Sequence, residues 1–538
     1  MANGQESGNG MSKLRRFALL SGAAAVVAAS SCVFAAEPSQ PASGQTSQQP
    51  TQQELLDKIN ALQAQVNNLQ GQENKNEAEQ AKIIQDVIAD ADKHTQLMDV
   101  DGGITAGWDK SKSQFFIASD DGNFFFHPGI IFQFRYIADY REGNNTANPE
   151  SSTQDGFEVR RLKFYFDGNV FTKDLTYKFQ WQDDNNGGTP KLEWAFGQYV
   201  IFHNVGPGDI GIKAGQYKDY VFKEEATTSD TTQLMVERSL ANSTVGGNAF
   251  GGPLIQGVDL VYTGKTSPIH ADFIFDDGDN TGNTDFTNSV LSGNGSGVAV
   301  AGGVPSAPAA PTGDTYATHS NFGAGARVDF KVFGDWSDTG DLTGKAAKND
   351  LLDIGGGAHV SQGNNVVTVA APAQYDFDTV RYDLDAQYIS AGKWTVFGAA
   401  YGDTIAYRSD SFADLPGSTE GASDGQNHSY RNDWAQVVEG GYFITPALEL
   451  AARYSITEYD SRFRLGKSPD SLESTFNEIG VGATYFLGDN GEAGNHAKVV
   501  LDANYLPNGS PSATGLGYSS ETNNKAEVVV RALFQIWL

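Results

Sequence analysis

The sequence predicts an all-β fold, a transmembrane antiparallel β-barrel preceded by a short N-terminal α-helical coiled coil. Three observations predict it. An export signal opens the chain, apolar and polar residues alternate with a period of two from about Gln114 to Leu538, and no later apolar run is long enough for a membrane helix.

The export signal occupies residues 1–36. Lys13, Arg15 and Arg16 precede an apolar run from Phe17 to Ala29, and small residues lead on to Ala35 and Ala36, the charge, core and cleavage layout of a secretory leader. Val33-Phe34-Ala35 or Phe34-Ala35-Ala36 supplies an ordinary cleavage site, in preference to the lipoprotein-like Ala29-Ser30-Ser31-Cys32. Cys32 is the only cysteine, so a disulfide framework and a cysteine-ligated metal are both excluded.

Residues 37–53 are rich in Pro, Ser and Gln and read as a flexible linker. Over 54–98, Leu55, Ile59, Leu62, Val66 and Leu69 are spaced 4, 3, 4, 3, and a weaker helical pattern resumes at Ile83, Ile84, Val87 and Ile88. This stretch is expected to be a periplasmic coiled coil that joins chains, or an amphipathic helix resting on another surface.

The barrel domain is expected over 99–538. Its clearest strand is Leu175 to Gln182, where Leu175, Tyr177, Phe179 and Trp181 alternate with Thr176, Lys178, Gln180 and Gln182. The same dyad runs through Val380 to Tyr388 and Leu448 to Thr457, with weaker copies at Leu162 to Asp167, Ile210 to Lys213, Phe322 to Lys331, Lys498 to Tyr505 and Ala526 to Leu538. A soluble sandwich also alternates, but three features favour a barrel in lipid. The period continues to the last residue. Trp181, Tyr388, Trp394, Trp434, Tyr442 and Tyr505 sit near segment ends, as interfacial girdles require. Short connections such as Ser390 to Lys393 and Thr445 to Ala447 alternate with long polar ones such as Asp277 to Ser320 and Asp403 to Asp433. Strands of ~10 residues joined this way give about 14–18 of them, enough to enclose an aqueous lumen.

Composition narrows the function. The chain of 538 residues carries 37 Lys and Arg against 66 Asp and Glu, a formal charge of −29, which excludes nucleic acid as the main ligand. Its eight histidines lack metal-ligand spacing, no nucleophile and base set or phosphate-cradling glycine loop occurs, and so neither an enzyme nor a cofactor is expected. Asp277, Asp279, Thr281 and Gly282 look like the start of a calcium loop, but position twelve is Asn288, so this is read as an acidic surface loop. Ser289 to Pro311 is expected to be a flexible outer loop.

Asp155-Gly156-Phe157-Glu158-Val159-Arg160-Arg161-Leu162-Lys163 through Phe179, then Lys213-Ala214-Gly215-Gln216-Tyr217-Lys218 and Met235-Val236-Glu237-Arg238-Ser239-Leu240, resemble the phosphate-selective porin O and P family. The resemblance covers Phe157 to about Leu240. It implies an outer-membrane barrel of about 16 strands, a homotrimer, with one loop folded inward to narrow the pore. It also implies pore positions for Arg160, Arg161, Lys213 and Lys218.

Alternation alone turns Arg161, Lys163, Lys178, Lys213, Arg327, Lys331, Arg381 and Arg453 toward the lumen, with Asp167, Asp329, Asp383, Asp385, Glu449, Asp502 and Glu527. That is eight basic against seven acidic groups, nearly balanced. Arg238 is expected to fasten the inward loop to the wall. The function expected is a channel in the outer membrane for small hydrophilic solutes, inorganic anions such as phosphate among them. An exported adhesive or structural barrel whose loops or coil bind a partner, and a soluble periplasmic carbohydrate binder, are the alternatives.

Overall fold

The structure, a computed structural model, describes Gln63 and residues 103–110, 112–141, 152–183, 188–247, 253–278, 281, 315–368, 373–407, 430–460, 474–511, 514–518 and 525–538. The expected signal peptide, linker and coil lie outside the described residues, apart from Gln63, which is helical. So do Asp279, Gly282, Asn288 and the Ser289 to Pro311 segment.

Two short strands, β1 (Ile104–Asp109) and β2 (Gln114–Ser119), form a hairpin ahead of the barrel. The barrel itself begins with β3 (Phe125–Arg141), β4 (Ser152–Asn169), β5 (Leu175–Asp183), β6 (Lys191–Val205) and β7 (Gly208–Lys218). It continues through β8 (Leu254–Gly264), β9 (Ile269–Asp276), β10 (Thr315–Phe333), β11 (Leu351–Thr368), β12 (Ala373–Ser390) and β13 (Trp394–Tyr407). The last strands are β14 (Tyr430–Thr445), β15 (Leu448–Glu458), β16 (Thr475–Phe486), β17 (Ala497–Leu506) and β18 (Glu527–Trp537). Each pairs antiparallel with its neighbour in sequence, and β18 returns to pair with β3 from Glu527↔Arg141 to Trp537↔Ile131. Leu538 completes the seam by exchanging both backbone hydrogen bonds with Ile130, at 2.9 and 3.0 Å. The result is a closed antiparallel barrel of sixteen strands, β3 to β18. Closure removes the unpaired edges that hydrocarbon would not tolerate.

The two faces of the wall have opposite chemistry. On β12, Val380, Tyr382 and Leu384 are exposed on the outside, Leu384 at 63%, while Arg381, Asp383, Asp385 and Gln387 are buried inside. On β15, Leu450 and Tyr454 face out and Glu449, Arg453, Ser455 and Thr457 face in. A water-soluble sandwich would show the reverse. The aromatic residues near the strand ends form two bands on the outer face. Trp394 and Tyr442 are paired in register near the short turns, whereas Tyr382 and Trp434 share a row through Gly402 toward the long loops. Trp434 and Tyr442 are eight residues apart on β14, roughly 26 Å along the strand and about 20 Å of height at a ~40° tilt, of the order of an outer-membrane apolar band. Tyr382 lies across Gly402, where even a Cβ would come within 2.1 Å of its ring, so the glycine accommodates the girdle.

The long outer connections are shorter than expected. β10 begins at Thr315, and the loop between β13 and β14 spans only 408–429, because backbone pairing with the neighbouring strands continues that far. Above the membrane, a strand has no lipid-facing row to fill. Register shifts also interrupt the dyad, and two of them place charged residues inside. Gln133 pairs with Arg161 and Phe134 with Val159, leaving Arg160 as the extra residue of β4. Gln180 pairs with Trp194 and Trp181 with Leu192, leaving Glu193 as the extra residue of β6. Each bulge turns two consecutive residues toward the lumen. A closed barrel of this type keeps its form in detergent until boiled. Gel mobility of the unheated protein is therefore expected to differ from that of the boiled protein, and identical mobility would contradict the closed wall.

Candidate functional site: the lumen and its inward loop

Lys218 ends β7, and residues 219–247 after it turn into the barrel instead of out over its rim. Val221, Phe222, Leu234, Met235, Leu240, Ala241 and Val245 of this inner loop are buried against Phe397, Ala399 and Tyr401 of β13, Ala435 and Val437 of β14, and Phe476 of β16. Here the wall is apolar on both faces, which explains why the sequence of β13, from Trp394 through Phe397 to Tyr401, barely alternates. Within the loop, Lys223–Thr227 makes one π-helical turn. A short helix, α1 (Leu240–Thr244), is capped by Ser239, whose Oγ accepts from Asn242 N at 3.0 Å.

A loop threaded through a barrel has no neighbouring strand, so its buried backbone groups need side-chain partners. The wall supplies them by charge. Asp383 accepts from Lys223 N, Asp502 from Val236 N and Glu478 from Leu240 N, each at 2.9 Å. In the other direction, Arg327 donates to Val221 O at 2.8 Å, Arg381 to Gly246 O at 2.7 Å and Lys498 to Gln233 O at 3.2 Å. Gln133 and Gln535 donate to the carbonyls of Asp230 and Thr231, both at 3.1 Å.

Glu237, in this loop, is gripped by three arginines. Arg160 Nε reaches it at 2.7 Å and Arg161 Nη2 at 2.8 Å, and Arg135, which also binds Glu158, completes the clamp. The bulge at Arg160 is what lets adjacent arginines grip one carboxylate. Burial alone would raise the pKa of Glu237, but Arg160, Arg161 and Arg135 more than offset it and hold the carboxyl well below its ordinary range. Glu224, in the same loop, moves the opposite way. Burial first, then the Glu439 carboxylate, push it up to about 7, against the opposing Arg453 and hydrogen bonds from Ser239 N at 2.7 Å and Tyr401 OH at 2.7 Å.

The structure turns the expected pore residues inward and brings them together, but mostly into ion pairs. Lys163 bridges Glu193 and Asp230, Lys213 pairs with Asp259 at 2.5 Å, and Lys218 pairs with Glu225 at 2.7 Å. Arg327 pairs with Asp329 and Asp385, and Arg453 with Glu439 at 2.6 Å. Arg381 stacks over Phe222, 4.4 Å from the ring centroid. Arg238 differs from expectation. Its partners are Asp230, Glu225 and the carbonyls of Glu224 and Thr228, so these contacts staple the loop to itself, while Lys223, Glu225, Asp230 and Glu237 make charged contacts with the wall. The near balance of lumenal charge also shifts. Asp259, Asp353, Asp403, Asp433, Glu439 and Glu478 join the buried acids, against Arg135, Lys498 and Arg531 among the cations, so the wall leans acidic. Arg135 and Arg531 were legible from the alternation of Gln133 with Arg135 and of Val529 with Arg531; the roles of Glu193 and Glu237 were not.

Between the inner loop and β3 to β6, on the side of the short turns, a cavity of about 690 Å³ remains. His127, Asp167, Lys178, Trp194 and Thr228 are among the residues that line it. Among the described residues, no group of three or more His, Cys, Asp or Glu is arranged to hold a metal ion, and no helix is long and apolar enough to cross a membrane.

No family model matches the chain, and no curated relative does. Solved structures similar to it include the outer membrane channel DcaP of Acinetobacter baumannii, 12% identical over 78% of this chain and 99% of that one, with a TM-score of 0.42. An anion-selective porin from Comamonas acidovorans is 10% identical over 77% of this chain and 100% of its own, with a TM-score of 0.43. Salmonella typhi OmpF is 14% identical over 78% and 99%, with a TM-score of 0.41.

Two outcomes follow from the loop carboxylates. Glu237→Gln leaves buried arginines without their counter-charge and is expected to destabilise the folded barrel by about 3–5 kcal/mol in denaturant titration; an unchanged midpoint would contradict the clamp. The depressed pKa of Glu237 means its contribution is full at neutral pH and is lost only as the pH falls through that low value. Glu224 has the opposite sign. Its raised pKa gives a contribution that is full below its unfolded value of ~4.3, declines as the pH rises above that value and is lost by about 7. Glu224→Gln is therefore expected to flatten the pH dependence of the unfolding midpoint between that unfolded value of ~4.3 and about 7, and an unaltered slope there would remove Glu224 as its source.

Proposed function

We propose that the protein is an outer-membrane channel through which small hydrophilic solutes diffuse, with the inner loop setting the width of the path. One observation carries this: a closed sixteen-stranded wall that is apolar outside and polar inside. Such a wall is stable in a bilayer and encloses a wet lumen. The inner loop, residues 219–247, held across that lumen by wall charges, supplies the constriction.

We infer weak charge selectivity. Lumenal cations already bound to carboxylates offer a passing anion little net field, and the acidic lean of the wall opposes a strong anion preference. Phosphate, which the resemblance to the phosphate-selective porins implies, finds these three arginines, Arg135, Arg160 and Arg161, engaged by Glu237 and Glu158. Assembly as a homotrimer in outer-membrane lipid, exported by the N-terminal signal, belongs to the same proposal. The outer face near the loop end carries Phe157, 72% exposed and stacked with Phe134 at 5.7 Å, an apolar surface for lipid or a second subunit.

Planar-bilayer recording tests the proposal. Discrete conductance steps are expected, with a reversal potential in a potassium chloride gradient far short of the value for an ideally selective pore. The absence of steps would overturn the channel, and near-ideal anion selectivity would overturn the inference of weak selection.

A further inference from the structure

The cavity beside the inner loop contains a cation that the wall does not use. Of the four cations lining it, Lys163, Lys218 and Arg238 are each bound to carboxylates. Lys178 is not. Its cross-strand partner in register is Asp167, an obvious mate, yet Asp167 turns away to His127 Nδ1 at 3.0 Å. The ammonium lies instead over aromatic faces, 4.6 Å from the Trp194 ring centroid and 5.9 Å from that of Tyr165. A π face attracts the charge but leaves the ammonium's N–H donors free for a stronger acceptor. A second polar atom on the same lining, the buried Nε2 of His127, also has no hydrogen-bond partner.

We propose that this cavity is a binding station for monocarboxylate solutes that carry an apolar ring, with the carboxylate on Lys178 and the ring against Trp194. The proposal rests on the channel reading and names a solute class for it. Three features of the cavity select that class. The unpaired ammonium favours an anion that can form a charge-assisted hydrogen bond. The aromatic floor, with Phe196 beside Trp194, rewards a ring and offers nothing to a small inorganic ion. Asp167, Glu193, Glu225 and Asp230 balance the four cations, so a second negative charge on the solute would face carboxylates, which disfavours a dianion such as phosphate. The volume, about 690 Å³, holds a single-ring acid together with water. Lys178 is a binding residue here, and Trp194 positions its ammonium.

The test titrates the full-length protein in detergent micelles with benzoate, following intrinsic tryptophan fluorescence, and then adds benzoate to chloride currents in bilayers. Saturable benzoate binding is expected, with the half-saturating concentration raised about tenfold by Lys178→Gln and restored by Lys178→Arg. Acetate, which lacks the ring, and benzyl alcohol, which lacks the charge, should each bind more weakly than benzoate, as should inorganic phosphate. Equal benzoate binding by the wild type and Lys178→Gln, acetate binding as tightly as benzoate, or phosphate binding more tightly, would each overturn the proposal. Heat-modifiable mobility of Lys178→Gln shows that the variant is folded. Lys178-dependent binding by a protein that conducts no chloride would support the station while overturning the channel.

Discussion

The interaction on which the rest depends is the capture of a loop backbone by wall charges. A segment running through a lumen loses the water that would otherwise satisfy its N–H and C=O groups, and an unmet buried group costs about 1–3 kcal/mol. Asp383, Asp502 and Glu478 take the loop's N–H groups, and Arg327, Arg381 and Lys498 take its carbonyls. Charge inside this barrel therefore has two uses. Much of it substitutes for a missing strand, and only the remainder is available to a solute.

This division accounts for the contrast between the two sides of the lumen. On β13, β14 and β16 an apolar patch of Phe397, Ala399, Tyr401, Ala435, Val437 and Phe476 lies among the charged groups of the wall, and the loop's own Phe222, Leu234 and Met235 pack on it. Over β3 to β6 the loop is held at a distance by charged bridges, Lys163 to Glu193 and Asp230 and the arginines to Glu237, and the cavity lies between. The connection between β10 and β11 adds to the filling from the turn end, where Gln387 accepts from Gly340 N at 3.0 Å and Gly340 O accepts from Thr232 Oγ1 at 2.9 Å. The loop is thus supported from both the wall and the turn end, which suits a fixed constriction.

The architecture was legible because the dyad is strong where one face meets lipid. Val380 to Tyr388 and Leu448 to Thr457 face as alternation requires, and the terminal strand closes the barrel with Phe534 outside and Gln535 inside. Legibility ended where a second constraint acted on the same residues. The bulges at Arg160 and Glu193 add a residue to the period, so a count by twos misplaces one member of each inward pair. β13 hides its inner face because that face seats an apolar loop. The inward loop itself entered through the family resemblance, since no local pattern in 219–253 says which way a connection turns. Arg238 illustrates the limit: its charge marked it as an anchor, but whether a guanidinium reaches wall or loop depends on three-dimensional neighbours such as Asp230.

The central claim is the orientation of the two faces, wet inside and lipid-facing outside, and thiol accessibility measures it most directly. Asp167→Cys places a thiol in the cavity, and Val438→Cys places one on the outer face of β14, midway between Trp434 and Tyr442. In liposomes a charged, membrane-impermeant thiol reagent is predicted to label the first and to spare the second. Labelling of Val438→Cys with protection of Asp167→Cys would contradict the account.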